Sequence, residues 1–426
     1  MADFDIPEYR VSVDQLLPGV FIRLERINWF NHPFLFNSFK IKDETQISIL
    51  QSLEVQQVIC VPEKSDCLPG KPRAQRAAPV AKAAPPVEST LNELWRIKHE
   101  RTKRLRKKKQ RIAECEQRYS TSIQSIAEVM NAVTTGDISA VGKGRSLVDA
   151  MVDSFLQDIE STLHLMSVMT PVETVYYHAL NTAVLSLMLG RDVDLHAKTM
   201  RDLGMGALFH DVGKTVIPKK ILRKPTPLTK LERERFEQHP ALGVDMLQYS
   251  SGFPPDALSI IYQHHENMDG SGYPQGLQGE EISNLARITA IANVYDNHCN
   301  QLNPAESYTP YQALSYMFTK QRTWFDKDYL ALFIRILGVY PPGTVVQLSN
   351  GALGLVISSN PNNQLRPSLV LYDPEIPKKE ALVVDLSEEP DLKIEKSIRP
   401  AHLPAEIFDY LSLRTRITYF VDPVGS

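Results

Sequence analysis

Apolar positions along the chain change period several times, and each change predicts a different kind of element. Extended stretches at Val20–Glu25 and Phe34–Ile41, a helix capped by Asp43 and running to about Leu53, and a strand over Gln57–Val61 make residues 1–62 a small α/β unit. Residues 63–89 then turn to Pro, Ala, Lys and Ser, too few apolar groups to fold alone, and read as a linker. Helical spacing starts at about Thr90 with Leu91, Leu94, Trp95 and Ile97, giving a connector over residues 90–144.

From about Ser146 to Leu337 the period is helical throughout, so residues 145–342 are expected to form an all-α bundle. Thr170-Pro171-Val172-Glu173 is a capping box that starts a helix carrying His178. A helix from Leu195 to Phe209 delivers His210 and Asp211 before Gly213 breaks it, and a second capping box, Thr229 to Glu232, opens the helix expected to bear His239. Another helix runs from Pro255 to His264 and His265. In the last, Asn284 to about Asn300, Leu285, Ile288, Ala292 and Tyr295 form one stripe and Thr289, Asn293, Asp296 and Asn300 a polar one. After Gly343, strands are expected at Thr344–Leu348, Gly354–Ser358, Ser368–Tyr372 and Ala381–Asp385, with a helix near Pro404–Leu413, so residues 343–426 form a small β-rich extension. The fold class is multidomain and mainly all-α.

Composition narrows the function. A net charge of −3 over 426 residues gives no overall pull toward nucleic acid or membrane. The local exception, Arg101 to Arg111, reads as the solvated face of a helical connector able to pair with itself in a homodimer, because no aromatic residues are interleaved for base stacking. Cys60, Cys67, Cys115 and Cys299 show no CxxC spacing, no apolar run approaches ~18 residues, and the N-terminus lacks a basic-then-apolar signal. A cytoplasmic protein without a transmembrane segment is expected. His32, in the first unit, has no ligand spacing around it.

The chemistry lies in the bundle. His178, His210-Asp211, His239 and His264-His265 come from four predicted helices, and a core has little use for so many imidazoles unless something charged satisfies them. Neutral imidazoles with one bridging carboxylate suit iron, manganese or zinc, and are numerous enough for two ions. Paired ions of this kind activate water against phosphorus, so phosphate-ester hydrolysis is the inferred reaction, with Lys214 placed to stabilise phosphoryl charge. In Asp269-Gly270-Ser271-Gly272-Tyr273-Pro274 the glycines let backbone approach a phosphate, and Tyr273 is expected to be exposed on a Pro-flanked turn.

Taken in order, His178, His210-Asp211-Val-Gly-Lys214, His239-Pro240 and His264-His265-Glu-Asn-Met-Asp269-Gly-Ser-Gly272-Tyr273-Pro274 resemble the HD-GYP family of bacterial cyclic di-GMP phosphodiesterases, a subgroup of the HD metal-dependent phosphohydrolases. The N-terminal unit resembles the uncharacterised domain that often precedes them. The resemblance implies an HD-type helical bundle, a centre of two divalent ions, iron or manganese, and hydrolysis of cyclic di-GMP to linear pGpG, GMP or both. It implies His178, His210, Asp211, His239, His264 and His265 as ligands, with Asp211 bridging and catalytic, and Lys214 as a contact to substrate phosphate. Asp269, Gly270, Gly272, Tyr273 and Pro274 become the loop that shapes the substrate site, and Gly272-Tyr273-Pro274 is the part that, in the family, docks diguanylate cyclase domains.

The chain departs from the family's pattern at Asn293, where an aspartate ligand is usual, leaving a neutral and weaker ligand. Asp296, one turn on, would replace it only with a shifted ligand set. Leu302 and Pro304 stand where an arginine and a tyrosine near the phosphate are usual, and Thr174 where some members place a glutamate that recruits a third ion, so at most two ions are expected. The runner-up reading is a degenerate module that binds nucleotide or a cyclase partner with little turnover, favoured by Asn293 and Leu302. A di-iron oxygenase on the same scaffold is disfavoured by Lys214 and the glycine loop.

Overall fold

The computed structural model describes residues 8–71, 87–135, 140–157, 162–165, 174–411 and 419–422, apart from 26, 28–30, 35, 251–252, 302–305, 361–362, 375 and 379–380. The Thr170–Glu173 cap, Leu302, Pro304, most of the linker and the side chains of most of the basic run lie outside these. The chain divides into two compact units, the first formed by Met1–Lys109, Leu348–Ala352 and Leu371–Val383 and the second by the rest.

In the first unit, short segments with buried apolar residues build a four-stranded antiparallel sheet ordered β1 (Tyr9–Ser12), β4 (Gln57–Cys60), β2 (Phe21–Arg23), β3 (Ser38–Lys40). Helix α1 (Glu44–Ser52) starts where expected, because the Asp43 carboxylate accepts from Gln46 N at 2.9 Å. Ile22, Ile47, Leu50 and Val58 fill the core. The strand expected over Phe34–Ile41 is shorter, and β1 was not expected. Its four residues carry too little alternation to signal a strand without β4 beside them.

Helix α2 (Val87–Thr134) begins in the first unit and ends in the second. There α3 (Ala140–Gln157), α4 (Thr174–Asp192) and α5 (Ala197–Phe209) follow. Nine of the thirteen residues of α5 are buried, because it packs between α3, α4 and the later α9 (Pro255–Gln263). After α5 come α6 (Lys219–Leu222), α7 (Lys230–Phe236) and α8 (His239–Leu247), and after α9 come α10 (Asn284–Cys299), α11 (Pro310–Lys320) and α12 (Lys327–Leu337). α10 packs on α4 and α9, and its Tyr295 meets Phe333 of α12 edge to face, ring centres 5.3 Å apart.

The expectation of an unbroken helical run needs one correction. β5 (Thr162–Leu165) lies within it and pairs antiparallel with β11 (Tyr419–Asp422) and with β7 (Leu353–Ser358) of the C-terminal sheet. Thr162-Leu-His-Leu is too short for its period to be read, and its partners lie far along the chain. That sheet runs β10 (Ile394–Ile398), β6 (Val345–Leu348), β7, β5, β11, with β8 (Ser368–Leu371) on β7 and β9 (Val383–Asp385) on β8. The closing helix is α13 (Ala405–Tyr410). No helix among the described residues is long and apolar enough to cross a membrane.

Candidate metal centre

Helix ends, rather than helix faces, deliver most of the cluster. His210 and His264 are the C-cap residues of α5 and α9, and each turns back to its own helix: His210 Nδ1 lies 2.7 Å from Ala207 O and His264 Nδ1 2.8 Å from Ile261 O. These donations satisfy carbonyls the helix end leaves open. His239 does not ride on the helix opened by Thr229, as its capping box had suggested. That capping box forms, but α7 stops at Phe236 and His239 is the first residue of α8. Pro240 has no N–H for the Phe236 carbonyl, so the helix restarts, and His239 Nδ1 takes that carbonyl at 2.8 Å.

With Nδ1 the protonated nitrogen in each ring, the Nε2 lone pairs point inward and converge on Asp211. Its two oxygens divide the cluster. Oδ1 lies 3.3 Å from His239 Nε2 and 3.6 Å from His264 Nε2, while Oδ2 lies 3.4 Å from His210 Nε2, 3.6 Å from His178 Nε2 and 2.6 Å from Lys214 Nζ. His265 completes the first group. In each group two Nε2 atoms approach to 3.2 Å with no proton between them, and Asp211 Oδ1 and His265 Nε2 are buried without a hydrogen-bond partner. Lone pairs so arranged repel unless a cation sits among them, so these residues fit a pair of metal ions.

Asn293 and Asp296 both meet His178, on opposite nitrogens. Asn293 Oδ1 is 3.0 Å from His178 Nε2, inside the cluster, whereas Asp296 Oδ2 accepts from His178 Nδ1 at 2.7 Å on the far side of the ring. Asp296 is therefore placed to orient His178, not to replace Asn293, and Asn181 Nδ2 and Asn300 Nδ2 hold its other oxygen at 2.7 and 2.9 Å. Thr289, on the same polar stripe, instead donates to Leu285 O. Sequence reasoning missed Asn181, although it follows His178 by one helical turn.

The glycine loop is built differently from expectation. A Cβ on Gly272 would lie 2.4 Å from Asn267 N and 2.5 Å from His265 O, so only glycine lets this strand of the loop lie against the His265–Asn267 backbone. The buried carboxylate of Glu266, also missed, anchors it by accepting from Gln275 N at 2.7 Å and Leu277 N at 3.0 Å. Tyr273 is not turned outward: it is partly buried and stacks on the His265 ring, centres 4.6 Å apart. Asp269 accepts from Ser271 N and Oγ and from Thr323 Oγ1, so it braces the loop. Pro274 and Gln275 form its exposed face.

Electrostatics agree with metal-ready protonation. Burial alone would raise the Asp211 pKa, but Lys214 and then His210 hold it well below the usual carboxylate range. Burial pushes His210 and His265 well below the usual imidazole value and His239 to about 4. In the first unit, His32 is likewise pushed to about 4 by burial and then by Lys98. An imidazole depressed from 6.5 to about 4 is neutral in the fold while the unfolded chain takes up its proton, so the metal-free protein should lose stability as pH falls through that window. Urea unfolding of metal-free protein across it should show the decline. A flat profile would contradict these shifts.

A helical bundle with a divided His/Asp cluster of this kind fits a metal-binding domain of the HD type. A model of the HD domain matches residues 160–329, one described as a domain of unknown function (DUF3391) matches 8–142, and a KOW domain associated with HD domain matches 345–406. Cyclic di-GMP phosphodiesterase PA4108 of Pseudomonas aeruginosa is 28% identical over 364 residues, covering 85% of this chain and 84% of its own. The response regulator RpfG of Xanthomonas campestris, also a cyclic di-GMP phosphodiesterase, is 36% identical over 140 residues, 33% of this chain and 37% of its own. Among solved structures, Bd1817, an HDG"Y"P protein of Bdellovibrio bacteriovorus, superposes with a TM-score of 0.44 at 15% identity, covering 78% of this chain and 99% of that one. Residues 160–329 therefore carry an HD domain, and the chain is similar over most of its length to a cyclic di-GMP phosphodiesterase.

Proposed function

We propose that the protein is a metal-dependent phosphodiesterase that hydrolyses cyclic di-GMP to linear pGpG, GMP or both. The observation that carries the proposal is the division of Asp211 between two sets of imidazoles. His239, His264 and His265 with Oδ1 would hold one divalent ion, and His178, His210 and Oδ2, with Asn293 Oδ1, the other. Iron or manganese suits this set of nitrogen and oxygen donors. When bound, such ions neutralise phosphoryl oxygens and lower the pKa of water.

The chain's own residues supply the rest. One carboxylate against two dications leaves the centre strongly cationic, which favours an anionic phosphodiester. Lys214 donates to Asp211 Oδ2 while its Nζ lies 5.3 Å from the centre of the Phe236 ring, and it keeps 16% of its side chain exposed, enough to meet a phosphate oxygen beside the cluster. Tyr273, stacked on His265, holds that ring in place and shapes one wall. The outward Pro274 and Gln275 are the loop residues a diguanylate cyclase domain would touch. The length of α2 suits pairing between two copies, and a cytoplasmic setting fits a cyclic dinucleotide substrate.

The test is turnover of cyclic di-GMP by protein purified anaerobically with iron or manganese, with metal counted in the same sample. Linear product that disappears in His210→Ala is the expected result. Cyclic di-GMP bound at full metal occupancy without turnover would overturn the proposal.

A further inference from the structure

We propose that Asn297 sets the orientation of the Asn293 carboxamide, turning its oxygen toward His178, His210 and Asp211, and that this neutral oxygen makes their half of the centre the weaker, exchangeable metal site. The inference rests on the reading of the cluster as a two-metal centre. Asn293 Oδ1 lies 3.0 Å from His178 Nε2 and accepts from Asn297 Nδ2 at 2.8 Å, whereas Asn293 Nδ2 is buried with no hydrogen-bond partner. A carboxamide has nearly the same shape either way round, so hydrogen bonding decides which end faces the cluster. Asn297, one helical turn further on and exposed, is the donor that decides it.

The two halves then differ in donor strength. One combines three imidazoles with a carboxylate oxygen, and the other two imidazoles with the second oxygen of the same carboxylate and an amide oxygen. An amide oxygen binds a divalent transition ion less strongly than imidazole nitrogen does. The second half should therefore release its ion first.

The experiment titrates metal-free full-length protein with manganese(II) and counts free ion by electron paramagnetic resonance. Wild type should show one tight and one weak class of site. Asn297→Asp should weaken the weak class about ten-fold, the scale of losing an outer-shell partner, and leave the tight class unchanged. A carboxylate cannot donate, so it turns the Asn293 NH2 toward itself and the oxygen away from the cluster. An added negative charge acting only through space would tighten the weak class, and tightening or no change overturns the proposal.

In an Asn293→Asp background, whose carboxylate presents oxygen either way round, Asn297→Ala should leave the isotherm unchanged. Weakening there overturns the orienting role as well. A wild-type protein that binds no manganese, or an isotherm indifferent to His210→Ala, would sink the two-metal reading and this proposal with it. A two-class isotherm that responds to His210→Ala but ignores position 297 overturns this proposal alone.

Discussion

Asp211→Asn should weaken both halves of the centre, leave the protein short of its full complement of metal, and lower phosphodiesterase turnover by more than about 10²-fold, the scale of removing one preorganised polar group from an active site. The reason is geometric. Among the described residues, Asp211 is the one whose side-chain oxygens face both groups, with His239 Nε2 3.3 Å from Oδ1 and His210 Nε2 3.4 Å from Oδ2. An amide leaves one oxygen for one half, turns an NH2 on the other, and removes the carboxylate among the metal-facing donors. It also strips Lys214 of the anion it holds at 2.6 Å, in a setting where both side chains are largely buried.

Lys214→Ala provides the contrast. It should lower turnover while metal content stays at the wild-type value, because Lys214 donates to the carboxylate without offering a lone pair to an ion. Metal counted by elemental analysis beside initial rates separates the two variants. An Asp211→Asn protein that kept its full complement of metal would refute the bridging role.

The cluster was legible in the sequence because its members are chemically conspicuous: six residues, His178, His210, Asp211, His239, His264 and His265, fall on or at the ends of largely apolar helices. Their origin on four predicted helices of one bundle suggested a shared centre, and the helices do bring them together. What could not be read was which atom of each side chain faces inward. Asp296 and Asn293 are separated by less than one turn of α10, and only the position of α4 decides that one meets Nε2 of His178 and the other Nδ1. Tyr273 was misjudged for a similar reason. A Gly-Tyr-Pro turn looks like an outward loop until Glu266 draws its backbone inward and Gly272 closes against His265. The helices themselves were legible from their period, whereas β5 depends on strands hundreds of residues away.

Gly213→Ala should destabilise the helical unit by about 1–3 kcal/mol or more, as overpacking does, and should remove the ion of the His239 half preferentially. A Cβ at position 213 would lie 2.0 Å from His239 O and 2.7 Å from Gly243 N, and both are backbone atoms that no rotamer change can move aside. The first turns of α8 must therefore shift as a body. His239 Nε2 sits 3.2 Å from His264 Nε2 and 3.3 Å from Asp211 Oδ1, so a displacement approaching an ångström breaks the convergence of that half while His178 and His210, on α4 and at the end of α5, stay in place. Gly142→Ala is the matched control. It lies exposed in α3 with no atom within 4 Å of the added Cβ, and replacing a helical glycine there should leave stability unchanged or raise it by roughly 0.5–1 kcal/mol. Urea unfolding and metal counting on both variants test the argument together. If Gly213→Ala matched Gly142→Ala in stability and metal content, the close approach of the turn after Asp211 to α8 would not be what holds His239 in the cluster.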